Sequence, residues 1–236
     1  MAQKSTIEEI KARFDNDVER FSNLDTGQVS TIDATVSLEL ITEAAKRITP
    51  AATQLLDVGC GAGNYSLKML QKLPALNCTL VDLSKPMLNK ALERVSQHTT
   101  GNVSIWQGDI REVDLPENHF DIILAGAVLH HLRDDNDWET TFAKLYRLLK
   151  PGGCLMISDL VVQETAAISE YTWERYGDYL EGINGKTYRQ NVMDYIEKED
   201  SPRSVTYQME LMKKVGFRAT EILHKNMCFA AFGGIK

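Results

Sequence analysis

The sequence lacks a long hydrophobic run. No apolar stretch approaches the roughly 20 residues that a membrane-spanning helix needs, and the first five residues carry no apolar core of a signal peptide. We therefore expect a cytoplasmic protein with no membrane partner. Internal repeats, low-complexity tracts and an evident linker are also missing, so the 236 residues suit one large domain or a domain with a cap.

Cysteines are few, and basic residues are not in excess. The four cysteines, Cys60, Cys78, Cys154 and Cys228, are scattered, without the close pairs typical of metal sites. We expect buried, reduced thiols. A net charge of −7 argues against a large nucleic-acid-binding face, although it leaves room for a local basic groove. The hydrophobic content of 43% and the charged content of 25% are ordinary for a soluble globular protein.

Strands and helices alternate through the middle of the chain. The predicted strands are Gln54–Val58, Cys78–Asp82, Val103–Gln107, Asp121–Ala125 and Cys154–Asp159. This alternation predicts an α/β fold with a mostly parallel sheet and helices on both faces. Two last strands, Phe217–His224 and Met227–Gly233, are too close for a crossover and predict an antiparallel hairpin. The sheet would then end in one reversed strand.

Two helical regions lie outside this alternation. Residues 1–50 are predicted to form an N-terminal helical cap, with helices at 5–23 and 32–47 around a polar break at 23–28. Residues 51–236 would form the α/β domain. Within it, residues 163–203 are rich in aromatic side chains and predict a helical, lid-like insertion before the last helix.

The segment from Leu55 to Ser66 carries the most informative motif. An apolar run ends in Asp57, and three glycines then alternate with small residues before a helical pattern begins. Glycine allows positive φ and exposes bare backbone to a ligand. The first amides of the following helix have no partner within the helix and can bind an anionic group. We therefore predict a ligand site at the carboxyl end of the first strand.

This motif resembles motif I of the class I S-adenosylmethionine-dependent methyltransferases. Asp82 after the second strand, Asp109 after the third and Ala125 at the end of the fourth match later positions of that family. Leu-His-His-Leu at 129–132 and Leu-Lys-Pro-Gly-Gly at 149–153 recur in many of its members. The resemblance implies a Rossmann-like, seven-stranded sheet whose last strand is antiparallel.

Two branches of the family are compatible with the sequence. The resemblance covers residues 54–233 and favours a methylating enzyme. Residues 185–235 are also loosely similar to the tRNA wobble-uridine carboxymethyl transferases, which use a carboxylated form of the cofactor.

The resemblance implies that S-adenosylmethionine is the cofactor and S-adenosylhomocysteine the product. The backbone at the glycines would run along the methionine and ribose portions of the cofactor. Asp57 would help to place the amino group through backbone, side chain or water, and Asp82 would accept hydrogen bonds from the ribose hydroxyls. Asp109 would accept a hydrogen bond from the adenine amino group, and the Ile110 amide would donate one to the adenine ring. The full set of implied cofactor-binding residues is Asp57, Gly59, Cys60, Gly61, Gly63, Asp82, Leu83, Met87, Asp109, Ile110 and Ala125.

Each of these residues also has a purely structural interpretation. The glycines could form only a tight turn, Asp82 could cap the next helix, and Asp109 could be a simple turn residue. Leu83 and Met87 could be core residues. The functional interpretation depends on the joint spacing of the whole set.

His130 and His131 are weak candidates for catalysis. They follow the fourth strand at the carboxyl edge, where ligands bind in open α/β sheets, and either could line the methyl-transfer site or act as a base. The alternative is that they pack or cap locally. The sequence offers no unambiguous base. Because no further Cys or His cluster joins them, we expect no metal site.

The substrate wall is expected from the N-terminal helices and the aromatic insertion. The candidates are Tyr171, Trp173, Tyr176, Tyr188 and Arg189. Arg189 would bind a carboxylate or phosphate group of the substrate. The alternative for the aromatic residues is a packed helical layer, and the alternative for Arg189 is a solvated surface charge.

The predicted function is methyl transfer to a small molecule by in-line displacement, with much of the catalysis from positioning. A tRNA-modifying methyl or carboxymethyl transferase and a non-catalytic cofactor-binding subunit stay open as alternatives. The chain is expected to be a monomer or a homodimer.

Overall fold

The computed structural model describes residues 4–23 and 27–236. Residues 1–3 of the predicted cap, and part of its polar break at 23–28, lie outside the described residues. Seven strands form one sheet in the order β3-β2-β1-β4-β5-β7-β6. The strands are β1 (Gln54–Val58), β2 (Asn77–Asp82), β3 (Val103–Gln107), β4 (Phe120–Gly126), β5 (Leu149–Leu160), β6 (Ala219–Asn226) and β7 (Phe229–Ile235).

Strands β1 to β5 pair in parallel, and β7 pairs antiparallel with both of its neighbours. The predicted sheet with one reversed strand is therefore confirmed. Since β1 lies between β2 and β4, the chain order reverses at β1. Ligands of open α/β sheets bind in the crevice at such a switch point, beyond the carboxyl ends of the strands.

The helices of the described residues cover both faces of the sheet and its carboxyl edge. They are α1 (Ile7–Asn16), α2 (Val18–Ser22), α3 (Ala34–Ile48), α4 (Asn64–Leu70), α5 (Lys85–Ser96), α6 (Asp135–Leu148), α7 (Ala166–Glu199) and α8 (Val205–Val215), with a 3-10 turn at Leu129–His131. The predicted single helix over 5–23 is wrong in one respect, because it breaks at Asp17, which has φ −109° and ψ 13°. None of the described helices is long and apolar enough to cross a membrane.

Strand β5 is longer than the predicted Cys154–Asp159 because the Leu-Lys-Pro-Gly-Gly segment at 149–153 also belongs to it. Leu149 pairs with Phe120 and Cys154 pairs with Ile122, so β5 carries extra residues between two paired positions. Gly152 adopts φ 83°, which relieves the strain of this bulge.

Two hydrophobic clusters cover the two sheet faces. Trp138 and Phe142 of α6 are fully buried in one, and Ile41 of α3 and Met69 of α4 are fully buried in the other. All four cysteines are buried and free, as expected. A third cluster joins Tyr176 of α7 to residues of β5 and β7, and it docks the insertion on the carboxyl edge of the sheet.

Helix α7 consists of two halves. Asn184 and Gly185 have non-helical backbone angles, and Gly185 has φ 76°. The insertion is therefore helical with a kink, and each half presents its side chains to a different part of the molecule.

Candidate active site

A cavity of about 480 Å³ opens at the carboxyl ends of β1, β2, β4 and β5. Ligand pockets typically measure 300–1,000 Å³. The floor consists of the residues that follow these strands. The roof consists of side chains of α1, α2 and the second half of α7. The segments that the alternating pattern left unassigned therefore close the site.

The glycine bend forms one end of the cavity. Gly59 and Gly61 have φ of 63° and 50°. A Cβ atom on Gly59 would lie 2.4 Å from Val128, so this position needs glycine for packing. A Cβ atom on Gly61 would meet nothing within 4 Å, because the space before it belongs to the cavity. Gly63 does not line the cavity, since its Cα faces Val95 of α5.

Asp82 at the end of β2 lies against this bend. Its Oδ2 accepts a hydrogen bond from the Gly61 amide at 2.8 Å, and its Oδ1 accepts one from the Ser84 amide at 2.8 Å. Each carboxylate oxygen keeps a further lone pair for a ligand. Burial raises the pKa of Asp82 to about 6. Asp82 therefore supports the bend and also lines the cavity, whereas the cap of α5 is Ser84, whose side chain accepts from the Met87 amide. Ligand binding by Asp82 stays a prediction.

Asp57 lies beneath the bend, outside the cavity lining. Its Oδ2 accepts hydrogen bonds from the Ser66 amide at 3.1 Å and the Ser66 hydroxyl at 2.6 Å. Burial raises the pKa of Asp57 to about 7. The Asp57 side chain therefore anchors the start of α4. That Asp57 helps to place a ligand amino group, through backbone, side chain or water, stays a prediction.

A smaller cavity of about 70 Å³ adjoins the first and shares Asp82 and Leu83 with it. Asp109 and Ile110 line this smaller cavity. The Asp109 carboxylate accepts from Arg111 Nε at 3.0 Å and from its terminal nitrogen at 2.6 Å. Burial opposes ionisation, but these bonds prevail and lower the pKa of Asp109.

The remaining predicted cofactor residues divide into two groups. Cys60, Leu83 and Met87 line the larger cavity. Ala125 does not, because it is fully buried in the hydrophobic cluster next to α6. The cavity begins one residue later, at Gly126.

His130 and His131 both line the cavity, beside Asp159 of β5 and Asp200 after α7. His130 Nδ1 bonds to Asp159 Oδ1, and the His130 amide donates to Asp159 Oδ2 at 3.1 Å. Burial lowers the pKa of His130, but the Asp159 and Asp200 carboxylates outweigh it and raise the value to about 9. Burial and the neighbouring His130 lower the pKa of His131. One buried histidine is therefore charged and the other neutral at pH 7.

Of the five residues predicted for the substrate wall, two line the cavity and three do not, and their contact with a substrate stays a prediction. Tyr176 and Tyr188 line the cavity. Tyr171 is 59% exposed, and Trp173 packs in the third hydrophobic cluster, away from the cavity lining. Arg189 folds across the kink of α7 to pair with Asp178 and Glu181.

The position of Arg189 has a physical cause in Gly177. A Cβ atom at Gly177 would lie 2.6 Å from the Arg189 guanidinium, so this glycine makes room for the charge on the first half of α7. Arg189 is thus neither a cavity residue nor a fully solvated charge.

Sequence reasoning missed several cavity residues. Phe14 and Phe21 lie on the N-terminal helices, which were expected to contribute to the substrate wall, but neither residue was a named candidate. Tyr195 belongs to the aromatic insertion and Asp159 ends a predicted strand, but neither was named as a candidate, and Asp200 has no sequence pattern of its own.

Comparison with known proteins agrees with this geometry. Residues 55–153 match a family model described as a methyltransferase domain. A demethylmenaquinone methyltransferase of Listeria monocytogenes is 28% identical over 189 residues, which cover 78% of each chain. A malonyl-[acyl-carrier protein] O-methyltransferase of Priestia megaterium is 26% identical over 76% of this chain and 62% of its own.

A solved structure extends the likeness to the whole chain. The 1,6-didemethyltoxoflavin-N1-methyltransferase of Burkholderia thailandensis, with S-adenosylhomocysteine bound, has a TM-score of 0.64 at 17% identity. It covers 100% of this chain, which in turn covers 92% of it. These matches identify the chain as an S-adenosylmethionine-dependent methyltransferase with the fold of the class I enzymes. Its cofactor is therefore S-adenosylmethionine, and its activity is methyl transfer.

Cofactor binding to this methyltransferase should weaken in mild acid. Burial places the pKa of Asp82 at about 6, and only the ionised carboxylate has all its lone pairs free for hydroxyl donors. As the pH falls below 6, protonation of Asp82 competes with binding. We expect the Kd of S-adenosylhomocysteine to rise by up to about tenfold for each pH unit below that pKa.

Calorimetry between pH 8 and pH 5 measures this dependence. Asp82→Asn removes the titrating group and should bind weakly with a flat profile over the same range. An unchanged slope in Asp82→Asn would assign the dependence to another group.

Proposed function

We propose that this enzyme methylates a small, largely flat acceptor enclosed between the glycine bend and the roof helices. The observation that carries the proposal is the single cavity that runs from Gly61 and Asp82 to the aromatic side chains of α1 and α7. One end is lined by the exposed backbone of the glycine bend and by the Asp82 carboxylate, and the other end is lined by aromatic rings. Such a division suits a polar cofactor at one end and an apolar acceptor at the other.

The cofactor end fits S-adenosylmethionine through this chain's own groups. Asp82 has lone pairs for two hydroxyls, Leu83 and Met87 provide apolar surface, and Asp109 with Ile110 lines the adjoining recess. When bound, the cofactor supplies a methyl group on a positively charged sulfur. The residues themselves hold and orient the two reactants and exclude water. Holding the reactants in line is the main requirement of an in-line displacement.

The acceptor end is lined by Phe14, Tyr176, Tyr188 and Tyr195. The Tyr176 hydroxyl is already engaged, since it donates to the Ser30 carbonyl oxygen at 3.0 Å. Its ring therefore serves as a fixed apolar wall. We propose that His130 and His131 contact the oxygen or nitrogen of the acceptor that receives the methyl group, because they lie between the aromatic wall and the glycine bend.

A small molecule is a better acceptor for this cavity than a tRNA. The roof of α1 and α7 leaves little room for a macromolecule, and the net charge of −7 disfavours a polyanion. The names of the two relatives also favour a small or carrier-bound acceptor. A cytoplasmic location is part of the proposal, because four buried free thiols suit a reducing compartment. The choice between monomer and homodimer stays a prediction.

Calorimetry with S-adenosylhomocysteine, followed by methyl transfer from labelled S-adenosylmethionine to a panel of hydroxylated aromatic compounds, tests this function. Gly61→Val fills the open space before the bend and should abolish binding. Gly152→Val is the matched control, since it shares positive φ and open space but lies on the β5 bulge at the opposite end of the sheet.

Binding by the wild type and by Gly152→Val, but not by Gly61→Val, is the expected result. Absence of binding in the folded wild type would refute the proposal. Binding without turnover on any acceptor would favour a non-catalytic subunit, and methylation of total tRNA alone would favour the nucleic-acid alternative.

A further inference from the structure

Three side chains beside the cavity form a group with the composition of a metal site. The ligand atoms of His130, His131 and Asp200 all lie within 4.8 Å of one another. Asp200 Oδ1 lies 3.1 Å from His131 Nδ1 and 3.7 Å from His130 Nε2. Metal ligands of about 2.1 Å bond length, arranged near the tetrahedral angle, lie about 3.4 Å apart. The observed separations lie on either side of that value.

Hydrogen bonding within the group accounts for only some of these atoms. Apart from the 3.1 Å approach of His131 Nδ1 to Asp200 Oδ1, these two atoms make no hydrogen bond, and the buried His131 Nε2 has no hydrogen-bond partner. The Asp200 side chain is only 2% exposed, so water does not easily satisfy it. Buried polar atoms without partners are rare and costly in folded proteins. An ion between the three side chains would satisfy them together.

The surroundings of His130 match those of a metal-binding histidine. Its second ring nitrogen, Nδ1, bonds to the Asp159 carboxylate, which leaves Nε2 directed toward Asp200. Metal-ligating histidines almost always donate their other ring N–H to a carboxylate or carbonyl group, and this fixes the ring and raises its basicity. Asp159 and Asp200 bring two carboxylates to the group, and a divalent cation balances them once it has displaced the proton from His130 Nε2.

We propose that His130, His131 and Asp200 bind a divalent transition-metal ion and that Asp159 positions His130 as a ligand. Two imidazoles and one carboxylate are a donor set that suits zinc, iron, cobalt or nickel better than magnesium or calcium. This assignment replaces the expectation of no metal, which was based on Cys and His spacing alone and did not include Asp200.

Three protein ligands leave coordination positions open toward the cavity, as in catalytic rather than structural metal sites. The role toward the acceptor rests on the proposed function, whereas metal binding itself does not. An acceptor hydroxyl that coordinates the ion has a lowered pKa. Its O–H bond breaks, the proton leaves to water, and the oxygen keeps the electron pair as a ligand of the ion. The acceptor class is thus a phenol, an enol or another acidic hydroxyl compound.

The test is direct metal binding to the tag-free protein after treatment with a chelator. Zn²⁺ is followed by calorimetry and Co²⁺ by its visible absorption, which reports nitrogen and oxygen coordination. We expect one ion per chain. Asp200→Ala and His131→Gln should lose the saturable site, and Asp159→Asn should weaken it by about 10–100-fold. His98→Gln is the matched control, because His98 is an exposed histidine on the far side of α5 and should leave binding unchanged.

S-adenosylhomocysteine binding by the same proteins separates the possible outcomes. No metal binding by a wild type that binds S-adenosylhomocysteine would overturn the metal site and leave the proposed function intact. Equal metal affinity in wild type, Asp200→Ala and His131→Gln would also overturn it. If Asp200→Ala fails to fold, the folded His131→Gln and Asp159→Asn proteins decide the question. Saturable metal binding without S-adenosylhomocysteine binding would support the metal site and refute the proposed function.

Discussion

Replacing Asp82 with alanine should weaken binding of S-adenosylhomocysteine by about 100-fold or more. A hydrogen bond to a charged group contributes about 1.5–3 kcal/mol, and the carboxylate is proposed to accept two ligand hydroxyls. The substitution also leaves the Gly61 and Ser84 amides without their acceptor. Both effects act at the same end of the cavity, so the loss should exceed that of any single apolar contact there.

Asp121→Ala is a matched control for this effect. Asp121 also accepts two backbone amides, those of Thr53 and Gln54, at 2.9 Å each, but it does so at the amino end of β4. Its replacement should lower the melting temperature without changing the affinity for S-adenosylhomocysteine. Calorimetry on both variants measures the difference. Equal affinities in wild type and Asp82→Ala would show that the carboxylate does not contact the cofactor.

Replacing Arg13 with alanine should release α1 from the roof of the cavity. Arg13 Nε lies 3.2 Å from both Glu199 carboxylate oxygens, and a terminal nitrogen donates to the Tyr195 hydroxyl at 2.6 Å. The Glu199 side chain is 7% exposed. Removing one partner of a buried ion pair costs about 3–5 kcal/mol, because the other charge stays buried alone. Glu199 regains water only if α1 undocks.

Hydrogen exchange of the α1 amides and the dissociation rate of S-adenosylhomocysteine measure this effect, and we expect both to rise by at least about 100-fold. Arg13→Ala combined with Glu199→Ala should recover part of the protection, since no unpaired charge is left. Arg47→Ala, which removes an ion pair on the exposed surface of α3, should change neither rate. If hydrogen exchange of the α1 amides stays at the wild-type level in Arg13→Ala, the Arg13–Glu199 ion pair does not keep α1 docked over the cavity.

The sheet was predictable from the sequence because it follows from local patterns, and the same patterns bring Gly61 and Asp82 to one end of the cavity, where their contact with the cofactor stays a prediction. The apolar runs of β1, β2 and β4, the glycines at 59 and 61, and Asp82 are spaced by the chain itself, and parallel strands bring their carboxyl ends to one edge. The bulge in β5 was missed because a Pro-Gly-Gly segment is typical of a turn, whereas here the pairing of β5 with β4 continues on both sides of it.

The acceptor end was only half predictable because it depends on helix packing rather than on spacing. Tyr171 and Tyr188 looked alike in the sequence, but Tyr171 lies on the exposed side of α7 and Tyr188 on the side that lines the cavity. Asp200 follows a 34-residue helix, and its approach to His130 and His131 is a tertiary contact without a local signal. Asp57 shows the reverse case, since a strongly patterned acid proved to be a helix anchor.

The kink in α7 separates two kinds of evolutionary constraint. The first half, with Tyr176 and Leu180 in the third hydrophobic cluster, is bound to the sheet and must keep its shape for the protein to fold. The second half also packs against that cluster through Tyr188 and Val192, but it supplies five cavity-lining residues, whereas the first half supplies only Tyr176. Substitutions after the kink can therefore exchange one acceptor for another while the methyl donor is held as before, so this helix is the natural place for the enzyme's substrate range to drift.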